Sequence, residues 1–145
     1  MSHRFAIVLS SALGLASAQA FVVDAANGPG AQFSSIVAAV AAVPDGAVLV
    51  VRPGSYVCPT LLAKGLTLLG QPGARLVGLN GTALRIEGLA AHQQVSVRGF
   101  LLEPVLNLGR ADIVWRNYQG AVTLESIQPA PSIYSTRHLK ATGND

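Results

Sequence analysis

Phe21 to Gly46, FVVDAANGPGAQFSSIVAAVAAVPDG, is a short apolar run, a glycine loop, an amphipathic segment and a turn. A nucleotide-binding unit opens in the same order, so the first question is whether Gly28-Pro29-Gly30 cradles a phosphate. A dinucleotide fingerprint needs G-x-G-x-x-G, the last glycine allowing close packing of helix on strand. Gly28 and Gly30 fit, but the third position is Phe33. The next apolar run ends on Arg52, where a ribose-binding unit carries an acid. Later runs are strand length, without the helices of a doubly wound sheet. The glycines are therefore read as a turn. Phe33, Ile36, Val37, Val40 and Val43 are read as one apolar helical face covering the open end of the strand-rich region after Gly46.

Downstream of Gly46 the chain breaks into short apolar runs separated by Gly, Pro and Asn. One set starts at Val48, Leu66, Leu84, Phe100 and Val122, at intervals of 18, 18, 16 and 22 residues. A second set starts at Tyr56, Arg75, Val95 and Ile113, at intervals of 19, 20 and 18. Two interleaved sets with a common repeat of about 20 residues describe a coil, each turn laying one strand on each of at least two parallel sheets. In that register Leu84, Phe100 and Val122 stack inside, as do Ile86, Leu102 and Leu124. On the other sheet Val95 lies over Ile113, and Val97 over Trp115. An antiparallel sandwich is the alternative, with Asn80-Gly81 as its hairpin signal.

FSSIVAAVAAVPDGAVLVVRPGSYV (33–57), KGLTLLGQPGA (64–74) and VSVRGFLLE (95–103) together resemble the opening turns of the right-handed parallel β-helix proteins, the pectin-lyase-like superfamily. The resemblance spans roughly residues 21–125 and is specific for fold rather than activity. It implies an all-β chain, a right-handed parallel β-helix of about four to five coils with an N-terminal amphipathic capping helix. Members include pectate lyases, polygalacturonases, pectin methylesterases and surface proteins. In the enzymes the resemblance implies close aspartates, with calcium or an arginine. Here Asp24, Asp45, Asp112 and Asp145 are far apart in sequence. No catalytic residue, metal or cofactor is assigned.

Residues 1–20 read as an export signal. Met1-Ser2-His3-Arg4 is a basic start, Phe5 to Leu15 is uncharged, and Ala16-Ser17-Ala18 and Ala18-Gln19-Ala20 are both small-x-small cleavage patterns. The apolar run is short for a membrane span, so no membrane association is expected after cleavage; an uncleaved N-terminal anchor is the alternative. Losing Arg4 lowers the formal charge of +3 by one, too little and too scattered for nucleic acid. With 50% hydrophobic and 12% charged residues the chain is not disordered. Its one cysteine, Cys58, excludes an internal disulfide. With no basic cluster beside it in sequence, Cys58 is read as a small core residue.

The repeats bring forward one polar constellation. Glu87, Glu103 and Glu125 each take the fourth position of an apolar-x-apolar-Glu strand. On one sheet they would stack outside about 4.8 Å apart per turn, where carboxylates repel or share a cation. Arg98 and Arg116 form a similar pair on the neighbouring sheet, and the five would line a groove for a sugar acid. The alternative is plain solvent-facing charge. His92 is read as a loop residue, Trp115, Tyr118 and Tyr134 as candidates to stack on sugar rings with Trp115 at an inward position that favours core, and Asn80-Gly81-Thr82 as a turn that also matches a glycosylation acceptor.

The expected organisation is a signal peptide over 1–20, strand and capping helix over 21–46, coils over 47–128 and an irregular tail over 129–145. Pro129 and Pro131 would blunt an open final edge, and end-to-end pairing of two copies is the alternative. The expected role is that of a secreted, periplasmic or cell-surface module, non-catalytic, structural or carbohydrate-binding, with a polysaccharide as partner. The alternative is the N-terminal portion of a polysaccharide-degrading lyase, hydrolase or esterase.

Overall fold

Val-, Leu- and Ile-rich runs bounded by Gly and Pro favour short strands, and the computed structural model is built of them. It describes residues 17–57, 59–78, 82–103, 112–129 and 141–142. The order is β1 (Ala20–Val23), α1 (Ile36–Ala42), β2 (Ala47–Val51), β3 (Gly54–Val57), β4 (Thr60–Leu62), β5 (Leu66–Gly70) and β6 (Ala74–Val77). Then come β7 (Thr82–Glu87), β8 (Gln94–Arg98), β9 (Leu101–Glu103), β10 (Asp112–Arg116), β11 (Ala121–Glu125), β12 (Gln128–Pro129) and β13 (Ala141–Thr142).

The strands form three sheets. The first runs β1-β2-β5-β8-β11, the second β3-β6-β9-β12 and the third β4-β7-β10-β13. Neighbours within each sheet pair in parallel. A parallel pair cannot be closed by a hairpin: α1 lies on the crossover from β1 to β2, and from β2 onward the chain passes through the other two sheets before it returns. The result is an all-β solenoid of about three turns with one short helix.

Like residues stack on like. Leu49, Leu68 and Val97 form one inward column of the first sheet, with Phe21 below and Leu124 above. Tyr56, Leu76 and Leu102 form a column of the second sheet, and Leu61, Ile86 and Trp115 one of the third. Most of these side chains, with Phe100, Leu84 and Ile113, are buried in one continuous core.

The structure corrects the two-set register. The set starting at Val48 is divided among all three sheets: β2, β5 and β11 are in the first, β7 is in the third, and β9 in the second. Leu84 therefore stacks on Ile113, Val122 on Val95, Val97 on Leu68 and Leu124, and Trp115 on Ile86. Near-equal sequence spacing misled because a turn holds three strands and turn length varies. Ala47, Leu66, Val95 and Val122 share one column, so successive turns take 19, 29 and 27 residues.

The helix is also shorter than the apolar pattern predicts. Ser35 is its N-cap, its Oγ accepting from Ala38 N at 3.1 Å, so Phe33 lies outside it. Phe33 bridges to Val23 and packs on Phe21, ring centroids 6.0 Å apart. Ile36, Ala39, Val40 and Val43 face the core, whereas Val37 is 49% exposed. The helix packs against β3 and β4. Lys64 Nζ donates to the carbonyls of Val40 (2.7 Å) and Val43 (2.8 Å), satisfying groups that a helix C-terminus leaves open.

Candidate functional site

The five charged residues do not gather in one groove. Glu87 ends β7, Glu103 ends β9 and Glu125 ends β11, so the three lie on three different sheets. Arg98 is on the first sheet and Arg116 on the third. The glutamate stack is absent because its register was built across sheets. Each glutamate instead meets an arginine. Glu125 Oε2 lies 3.1 Å from Arg98 Nε, Glu103 Oε2 3.6 Å from Arg75 Nη1, and Glu87 Oε1 3.2 Å from Arg85 Nη1. Arg116 is the register neighbour of Glu87 on the next turn. These pairs are largely exposed, and each contributes about 0–1 kcal/mol.

The outward face of the first sheet carries two polar columns side by side. One is Thr67, Ser96 and Thr123. The other passes from Leu69 to Arg98 and Glu125. Ser96 is buried, and among the described residues its Oγ has no hydrogen-bond partner. Burying a hydroxyl unpaired is unfavourable, which sets this position apart from the paired charges.

The glycine loop is held by a network that the sequence did not signal as a unit. Val23 pairs with Val51, so the next residues, Asp24 and Arg52, become neighbours. Asp24 Oδ1 accepts from Ala26 N (2.9 Å), and Oδ2 accepts from Gly28 N (3.1 Å) and Arg52 Nη1 (3.0 Å). Arg52 Nη2 donates to the Pro29 carbonyl at 2.8 Å. Tyr56 Oη accepts from Ala25 N at 3.1 Å and donates to the Arg52 carbonyl at 2.9 Å. The Ala26 N–H and the Arg52 guanidinium hold the Asp24 carboxyl below its ordinary value. Burial, followed in size by the hydrogen bond from Ala25 that partly opposes it, leaves the Tyr56 phenol raised. The loop N–H that a phosphate would need is thus turned onto a carboxylate of the same chain. The signal available in sequence was an acid and an arginine each directly following a paired strand.

A second polar tie links successive turns at another corner. Asp45 Oδ1 accepts from Gly65 N (2.6 Å) and from Gln93 Nε2 (3.0 Å). The same Gln93 amide nitrogen donates to the Ala63 carbonyl at 2.7 Å, and its Oε1 accepts from Ala90 N at 2.9 Å.

Of the remaining singled-out residues, His92 is exposed, and Trp115 and Tyr118 are half-buried against the core. Cys58, Asn80-Gly81, Pro131, Tyr134 and most of residues 1–20 and of the tail lie outside the described residues, and nothing is described of the side chains of Asp112 and Pro129. Among the described residues no three His, Cys, Asp or Glu gather as a metal site, and no helix is long and apolar enough to cross a membrane. No protein-family model, curated protein or solved structure matches the chain.

Proposed function

We propose that the chain is an exported β-solenoid module with a non-catalytic role, holding an acidic polysaccharide along the outward face of its first sheet. In this reading the coil is a right-handed parallel β-helix of the pectin-lyase-like kind, and α1 with β1 caps its first turn. The carrying observation is the pair of columns on that face. Thr67 and Thr123 stand in one column on either side of the buried Ser96, and the exposed Arg98–Glu125 pair runs beside them as the part of the face a polymer can reach. A parallel sheet repeats its side chains about every 4.8 Å, which suits a linear polymer of hydroxyls and carboxylates. A uronate carboxylate would exchange for Glu125 on Arg98, keeping the guanidinium paired.

The test is binding of the purified chain to polygalacturonate by affinity electrophoresis, with product formation followed with and without calcium. Binding without product is expected. Arg98→Ala should weaken it, Glu125→Gln should strengthen it, and Arg75→Ala on the second sheet should leave it unchanged. Product formation would instead favour the alternative, the N-terminal portion of a polysaccharide-degrading enzyme. Equal binding by all variants would remove this face from consideration.

A further inference from the structure

We infer that the mature chain begins at Gln19, by cleavage of the Ala18–Gln19 peptide bond rather than Ala20–Phe21. The inference rests on the export reading and selects between two sequence motifs that are equally acceptable as small-x-small sites. Two observations carry it. The first is pairing. Val48 N donates to the Gln19 carbonyl at 2.8 Å, and Ala20 is the register partner of Val48. A chain beginning at Phe21 loses that acceptor and the first pair of β1 on β2, leaving the Val48 N–H without it. A chain beginning at Gln19 keeps both.

The second observation is access. Proteases take their substrate as a free extended segment. The Ala20–Phe21 bond lies inside β1, with both residues in register with Val48 and Leu49. Further along β1 the opposite edge is occupied as well. Gln32 N and Phe33 N donate to the Val22 carbonyl at 3.0 and 3.3 Å, and Val22 N donates to Gln32 Oε1 at 2.7 Å. The Ala18–Gln19 bond precedes β1, and residues 17–20 are exposed. Once the first turn has folded, the outer bond remains open to a peptidase and the inner one does not.

The full chain is exported from a bacterial host with a general secretory pathway, and the product is read by intact mass and N-terminal sequencing. A chain starting at Gln19 is expected. A start at Phe21 overturns the inference and leaves export standing, whereas an uncleaved chain overturns both. Separately, purified chains starting at Gln19 and at Phe21 are unfolded in urea. The shorter one is expected to lose about five-fold in its folded-to-unfolded ratio, the worth of one lost hydrogen bond. Equal midpoints would overturn the pairing argument for choosing this site.

Discussion

Ala63 sits at φ 45° where β4 gives way to β5, a left-handed conformation in which its Cβ crowds its own backbone. One turn on, Gly88 follows β7 at φ 70°, and on the turn after that Asn117 follows β10 at φ 49°. The three share a corner, since Ala63 N donates to the Glu87 carbonyl and Gly88 N to that of Arg116. Ala63→Gly should therefore stabilise the protein by about 1 kcal/mol, and Gly88→Ala should destabilise it by about 1–2 kcal/mol. The added methyl at Gly88 meets nothing closer than 3.8 Å, so backbone strain alone sets the second figure. Urea midpoints of the two variants read this directly, and equal signs would contradict it. Asp24 gives a pH-dependent counterpart. Its lowered carboxyl contributes stability that is full above the ordinary value of 3.8 and is lost as pH falls through the lowered one. Asp24→Asn should be less stable than the parent at neutral pH, and the gap should narrow in acid as the parent's own carboxyl protonates.

The helix shows how an element depends on a residue outside it. Its seven residues are too few to stand alone in water. Its N-terminus is closed by Ser35 and its C-terminus by Lys64, which comes from the bend after β4. Lys64→Met keeps the apolar stem but removes both hydrogen bonds. It should cost about 1–2 kcal/mol by urea unfolding, whereas Val37→Ala on the exposed side should stay within about 0.5 kcal/mol. The helix itself was legible in the spacing of Ile36, Val37, Val40 and Val43, but its start was not, since Ser35 caps it after Phe33. Lys64 was not, because nothing in a linear sequence says which carbonyls a distant lysine will reach. Phe33 was assigned to the helical face for a related reason. An aromatic at helical spacing looks the same whether it extends the helix or, as here, pairs with a strand.

At the scale of the whole molecule, the parallel coil was legible in the short apolar runs and the Gly and Pro punctuation. Its register was not. Period-two alternation identifies inward residues on any strand, so Leu84, Ile86, Val95, Val97 and Leu102 were placed in the core and are buried there. Alternation does not say which sheet a strand joins, and runs sorted into two sets on at least two sheets are in fact distributed over three. The glutamate stack failed through that step alone. The inward assignment is tested by Ile86→Asp, which buries an unpaired charge and should cost about 3 kcal/mol or more. Arg85→Ala, its neighbour, removes only an exposed ion pair and should stay within about 0.5 kcal/mol. Similar tolerance at the two positions would contradict the burial pattern of β7.

The Gln32 and Phe33 contacts to β1 also bear on the order in which the molecule forms. The edge that residues 32 and 33 cover belongs to β1, which is synthesised before the turns that follow it. In a solenoid each turn leans only on its neighbours. β2 can therefore pair with a held β1 before any later turn exists, and β5, β8 and β11 each then need only their nearest neighbours in the sheet.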